Sequence, residues 1–162
     1  MAVIRGKIWL IVLALALSAF ALGTVFVVEG VTKNMWIRDT MRVEKITLGL
    51  TQDQINKGDV VDSVSEAQQA SAIIRDDRHK IAPTYSDLLA GAHFNASDTV
   101  QLTWAQAMNM ENSMNLVVLG FGVAQMALGA GVFMLAVAIA LVIIGLTMRK
   151  KAVIRESRKD VS

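Results

Sequence analysis

Two uncharged apolar runs bracket a polar middle. The first, Ile8 to Val28, reads IWLIVLALALSAFALGTVFVV, and the second extends from Leu116 to Met148. Each meets the length of about 20 apolar residues that a membrane-crossing helix needs. The second exceeds it. Its 33 residues make a helix of about 50 Å, against about 30 Å of hydrocarbon. Two crossings and a turn do not fit in that length. Tilt takes up part of the excess, and the rest is expected as helix outside the bilayer, kept apolar because protein covers it.

The middle carries weaker patterns. Met35, Trp36 and Ile37 continue the first helix, with Trp36 suited to the lipid interface. Ile46, Leu48 and Leu50 alternate with Thr47 and Gly49, which suits a short strand or an extended stretch. NKGD at 56–59 reads as a turn. Ser63 and Glu66 have the spacing of a capping box. Ala67, Ala70, Ser71 and Ile74 then fall on one narrow face, so the helix they define must lie on other protein. The single proline, Pro83, ends it. Ser97 or Asp98 can cap a further helix with Val100, Trp104 and Met108 on one face. Nothing from Thr99 to Leu116 forces a break, so this helix is expected to run directly into the second span.

The fold class that follows is an all-α membrane protein: a two-transmembrane helical hairpin with a small α-rich extracytoplasmic cap, leaving room for a short two-stranded element. The cap is too small for much core of its own. Residues 1–7 form the N-tail, 8–28 the first transmembrane helix, 29–115 the outer segment, 116–148 the long second transmembrane helix and 149–162 a basic tail.

Charge sets the orientation. The N-tail carries Arg5 and Lys7 without an acid, and the C-tail carries Arg149, Lys150, Lys151, Arg155, Arg158 and Lys159 against Glu156 and Asp160. The middle holds eight Lys and Arg against twelve Asp and Glu, a net of −4. The positive-inside rule then places both tails in the cytoplasm and residues 29–115 outside. SAFA at 18–21 resembles a signal-peptidase site, but the apolar run continues to Val28, so the segment reads as an uncleaved anchor. Arg149, Lys150, Lys151 and Arg155 stand where anionic lipid headgroups would meet them. A tail this short beside a membrane gives no reason to expect nucleic acid.

Small residues recur in both spans. Gly120, Ala124, Ala127 and Gly131 are spaced 4, 3 and 4 apart, and Ala138 and Gly145 continue the phase. The first span offers two rows, Ala14, Ser18 and Ala21, and Ala16, Ala19 and Gly23. In lipid, where hydrophobic exclusion is weak, such rows let helix backbones approach closely. The expected contact is the hairpin against itself or against a partner subunit.

Chemistry is sparse. Hydrophobic residues make up 54% of the chain and cysteine is absent, which removes disulfides and thiolate metal sites. Neither span holds an ionisable residue in its middle, and Gln125 is the only amide of the second, which argues against a transport path. His79 and His93, with Asp76, Asp77 and Asp87 nearby, supply the residue types of a two-histidine, one-carboxylate iron site but match no motif spacing. Asn95-Ala96-Ser97 has the form of a glycosylation sequon.

A basic start, one span, MRVEKITL (41–48), EAQQASAIIRDDRHKIAPTYSDL (66–88) and a long Gly-rich second span together resemble a group of small two-span membrane proteins of actinobacteria and related lineages. These are often labelled aromatic ring-opening dioxygenase subunits. The resemblance implies a bacterial plasma membrane. It carries no catalytic residue onto this chain, and two outer histidines do not support the dioxygenase label.

The function expected from these features is that of a non-catalytic structural or accessory subunit of a larger integral membrane complex, without cofactor or metal. Its partners would be other membrane subunits, lipid, or a second copy of the chain. The alternatives are an extracytoplasmic sensor or signalling hairpin, and a metal-dependent oxygenase component using His79 and His93.

Overall fold

The computed structural model describes residues 7–159, with side chains through residue 154. Its described residues are all helix and connection, with no strand. Among the described residues five helices follow in order: α1 (Ile8–Glu44), α2 (Gln52–Asn56), α3 (Val64–Ile81), α4 (Tyr85–Leu89) and α5 (Thr99–Lys159). Helices α1 and α5 are long and apolar enough to cross a membrane. The chain divides into two compact units, one from Met1–Thr32 with Ala124–Ser162 and one from Lys33–Val123.

In the first unit the two long helices pack antiparallel. Gly30 lies against Ala124 and Leu128, Gly23 against Gly131 and Leu135, and Gly145 against Leu13 and Val12. Most large side chains here point away from the pair, among them Leu17, Phe20, Val25, Phe133 and Ile139. Three hydroxyls on these helices bond to their own backbone. Ser18 donates to the Ala14 carbonyl (3.1 Å), Thr24 to Phe20 (2.9 Å) and Thr147 to Ile143 (2.8 Å). Such back-bonding lets a polar residue face an apolar surface without an unpaired donor.

The second unit builds a small core from Met41, Val61, Ala67, Ala70, Ile74, Met114 and Phe121. Three reciprocal capping boxes start its shorter helices: Thr51 with Gln54, Ser63 with Glu66, and Thr84 with Asp87. Each satisfies two of the backbone N–H groups left free at a helix start. The face expected on α3 is the buried one, since Ala67, Ala70, Ser71 and Ile74 are all enclosed. Helix α3 ends at Ile81, just before Pro83. Asp98 starts α5, its carboxylate accepting from the Val100 (2.8 Å) and Gln101 (3.3 Å) backbone N–H groups. From there α5 continues without a break, as the sequence predicts.

Two expectations need correction. The alternation at Ile46, Leu48 and Leu50 is a turn and not a strand. Leu50 N–H donates to the Thr47 carbonyl (3.1 Å), and Gly49 takes φ 87°, a left-handed conformation that ends extended backbone. All three apolar residues pack on the core from this turn, and a single bond from Val61 N–H to the Ile46 carbonyl (2.8 Å) stands where the sequence left room for a two-stranded element. The face Val100–Trp104–Met108 buries only its centre. Trp104 is 3% exposed, whereas Val100 and Met108 are 56% and 42% exposed.

Candidate functional site

The functional candidate with the most defined geometry is the helix interface of the first unit. Its small residues fall every seven positions on both helices: Ala16, Gly23 and Gly30 on α1, and Ala124, Gly131, Ala138 and Gly145 on α5. All seven are buried. Backbone approaches backbone most closely at Gly131 and Gly30. A methyl group built on Gly131 would lie 2.7 Å from the Val27 nitrogen and 2.8 Å from the Gly23 carbonyl oxygen. One built on Gly30 would lie 2.8 Å from the Leu128 nitrogen and 2.9 Å from the Ala124 carbonyl oxygen. Only hydrogen fits there, and this backbone proximity is what small-residue motifs provide in lipid.

The sequence rows map onto this interface as follows. Ala124, Gly131, Ala138, Ala16 and Gly23 lie in it, with Ala127 and Ala19 half-buried at its margin. Gly120 belongs to the second unit, where it packs on Ile37, 3.1 Å from the position of a methyl carbon. The competing row Ala14, Ser18 and Ala21 is exposed and takes no part. Gly30 is an interface residue that sequence reasoning passes over, because the apolar run ends before Glu29. Its signal is the seven-residue step from Gly23.

A second constellation is a polar seam between α3 and α5. Ser71 Oγ donates to Asn115 Oδ1 at 2.8 Å. Two helical turns along α3, Arg78 donates through Nε and Nη2 to Glu111 Oε2, both at 3.0 Å. These two side chains are only 12% and 13% exposed. The Arg78 guanidinium also lies 4.6 Å over the Trp104 ring, and Trp104 Nε1 donates to the Ala82 carbonyl at 2.9 Å. Tyr85 tilts against the same indole at 5.8 Å. A shielded charge pair, a cation over an aromatic face and a satisfied indole N–H lock α3 to α5. Among the described residues no buried side-chain nitrogen or oxygen lacks a partner.

The remaining charges are peripheral. Arg42 Nε donates to Asp62 Oδ2 at 2.6 Å, and that bond together with the Asp62 charge holds the guanidinium above its ordinary pKa. The hydrogen bond to Asp77 and its charge raise Lys80 in the same way. Both groups stay cationic throughout the neutral range. Beside α5 and the end of α1, a groove of about 430 Å³ is lined by Met41, Met110 and Met114 with Thr40, Glu44 and Ser113.

His79 and His93 are both exposed, and Nε2 of His79 lies 3.3 Å from Arg78 Nη2. No group of three His, Cys, Asp or Glu that could hold a metal occurs among the described residues. Arg149, Lys150 and Lys151 are exposed near the end of α5, and the Arg149 guanidinium lies 5.4 Å over the Trp9 ring. The Arg155 side chain lies outside the described residues. No protein-family model, curated protein or solved structure matches the chain.

Proposed function

We propose that the chain is a two-span membrane protein with both tails cytoplasmic, acting as a non-catalytic accessory subunit of a larger membrane complex. The transmembrane hairpin is self-sufficient on this reading. Its small residues are spent on intrachain packing and leave no need for a partner at that seam. The partner surface lies elsewhere. Leu116, Leu119 and Val123 recur on one face of α5 and are 66%, 62% and 60% exposed. The apolar run of α5 exceeds the hydrocarbon thickness by about 20 Å. Its inner face is covered by the chain's own core, through Val117, Val118 and Phe121. The outer face is not covered, and this strip carries the proposal, because uncovered apolar patches mark interaction surfaces.

Affinity purification from native membranes tests it. Leu116→Gln with Leu119→Gln should release a stoichiometric integral-membrane partner that the wild-type protein and a Val43→Gln control both retain. Unchanged partners in the double variant would overturn the reading.

One observation favours the alternative of an extracytoplasmic sensor. The methionine-lined groove of the second unit brings three polar side chains, Thr40, Glu44 and Ser113, to one apolar cleft, the general form of a small-ligand site.

A further inference from the structure

The first unit holds a groove of about 450 Å³ along one side of the helix pair. Ala16 and Ala138, each 1% exposed, close its floor, and Leu13, Phe20, Ile139 and Val142 are among its walls. The lining carries no charged or polar side chain. What lies at its end is different. Trp9 precedes Leu13 by four residues and Arg149 follows Val142 by seven. Both steps keep the same helix face, so Trp9 and Arg149 continue the two walls by about one and two turns. There they meet, with the guanidinium 5.4 Å over the indole. Lys7, Lys150 and Lys151 are exposed at the same end. No Asp or Glu occurs in sequence from Met1 to Val28 or from Asn112 to Arg155.

We propose that this groove and its cationic end form a binding site for one anionic phospholipid, resting on the reading that the hairpin spans a membrane. An acyl chain lies in the groove, whose alanine floor and branched walls suit a flexible hydrocarbon. The phosphate sits against Arg149 and Lys150, with Lys7 in reach. Charge complementarity selects the occupant. A neutral apolar ligand would leave the cations unused, and a free phosphate would leave the groove unused. Trp9 marks the depth at which hydrocarbon gives way to headgroup, and Arg149 can extend its stem along apolar surface to place its charge there. Basic pockets between transmembrane helices on the cytoplasmic side bind anionic headgroups by this arrangement.

The test uses the full-length protein in nanodiscs of phosphatidylcholine with a minority of phosphatidylglycerol, released into mild detergent for native mass spectrometry. The wild type should retain one phospholipid, with phosphatidylglycerol enriched about tenfold over the bulk. Arg149→Gln with Lys150→Gln should bring that ratio to parity while a lipid is still retained, and Arg149→Lys should preserve it. Ile139→Phe with Val142→Phe, which fill the groove from exposed positions, should lower retention of both lipids about tenfold. Bulk composition in the wild type, a preference that survives loss of both charges, or full retention with the groove filled would overturn the site. Alkaline carbonate extraction separates the two readings. Release of the protein by carbonate would overturn the membrane assignment itself, whereas resistance to carbonate without headgroup preference would overturn only the lipid site.

Discussion

Gly23 and Gly131 face each other so closely that a β-carbon has no room on Gly131 and is crowded on Gly23. A methyl on Gly23 would stand 3.0 Å from the Gly131 carbonyl oxygen, and one on Gly131 2.8 Å from the Gly23 oxygen. Most of the neighbours at fault are backbone atoms, which cannot rotate away. Gly131→Ile should therefore push the helices apart at a cost of about 1–3 kcal/mol. Gly129, two residues away, has nothing within 4 Å of its methyl position. Gly129→Ala should be neutral or stabilise by up to about 1 kcal/mol through helix propensity. Thermal unfolding in detergent followed by circular dichroism compares the two. Equal melting temperatures would mean that the close contact contributes nothing.

Arg78 should be the most sensitive charge in the second unit. Glu111→Ala leaves it shielded from water without its carboxylate, a change expected to destabilise this unit by about 2–3 kcal/mol, below the range for fully buried pairs. Arg78→Lys keeps the charge but loses the two-donor contact and most of the stacking on Trp104, and should fall between wild type and Glu111→Ala. Urea unfolding monitored by Trp104 emission, with Trp9 and Trp36 replaced by Phe, reads the effect. A Glu111→Ala midpoint equal to wild type would exclude a structural role for the pair.

Among the described residues two non-glycine positions occupy the left-handed region at helix ends: Lys45 at φ 52° after α1, and Ala90 at φ 47° after α4. A side chain there costs about 1–2 kcal/mol relative to the right-handed region, a penalty glycine escapes. Lys45→Gly and Ala90→Gly should each stabilise the second unit by roughly half to one kcal/mol. Differential scanning fluorimetry should show both melting temperatures rising, and a fall in either would show that the native side chain makes a compensating contact.

Topology can be read directly. Cysteines placed at Lys57 and Lys151, both exposed, should differ in labelling by an impermeant maleimide on intact cells. Position 57 should react and position 151 only after permeabilisation. The reverse pattern would invert the orientation assigned from charge.

Much of this fold is legible in the sequence because its signals are local. The Ser63–Glu66 box, the buried face that follows it, the stop at Pro83 and the run of α5 into the apolar segment all depend on residues within a turn or two of one another. The same signal, at Thr51–Gln54 and Thr84–Asp87, marks α2 and α4, but helices of five residues leave no periodic stretch behind the cap to draw attention. The apparent strand at Ile46–Leu50 fails for a related reason, since a turn pressed against a core also alternates. The seam is another matter. Arg78 and Glu111 stand 33 residues apart, and nothing near either predicts the other. For the helix interface, sequence supplies the small rows but not the pairing. Ala14–Ser18–Ala21 and Ala16–Ala19–Gly23 are equally good rows until the facing helix chooses.

The seven-residue step of the α1–α5 interface has a geometric consequence. A straight α-helix falls about 20° short of closing two turns in seven residues, so a seam that keeps this step on both helices must wrap left-handed to stay closed. The pair is in that sense written in a reading frame. Inserting one residue between Gly131 and Ala138 would turn everything beyond it by about 100°, carry Ala138 and Gly145 out of the seam and bring branched side chains in. Inserting seven would preserve the frame and only lengthen the ribbon. Single substitutions on the outward face leave this frame untouched, while a one-residue slip anywhere along it erases the contact for every turn that follows.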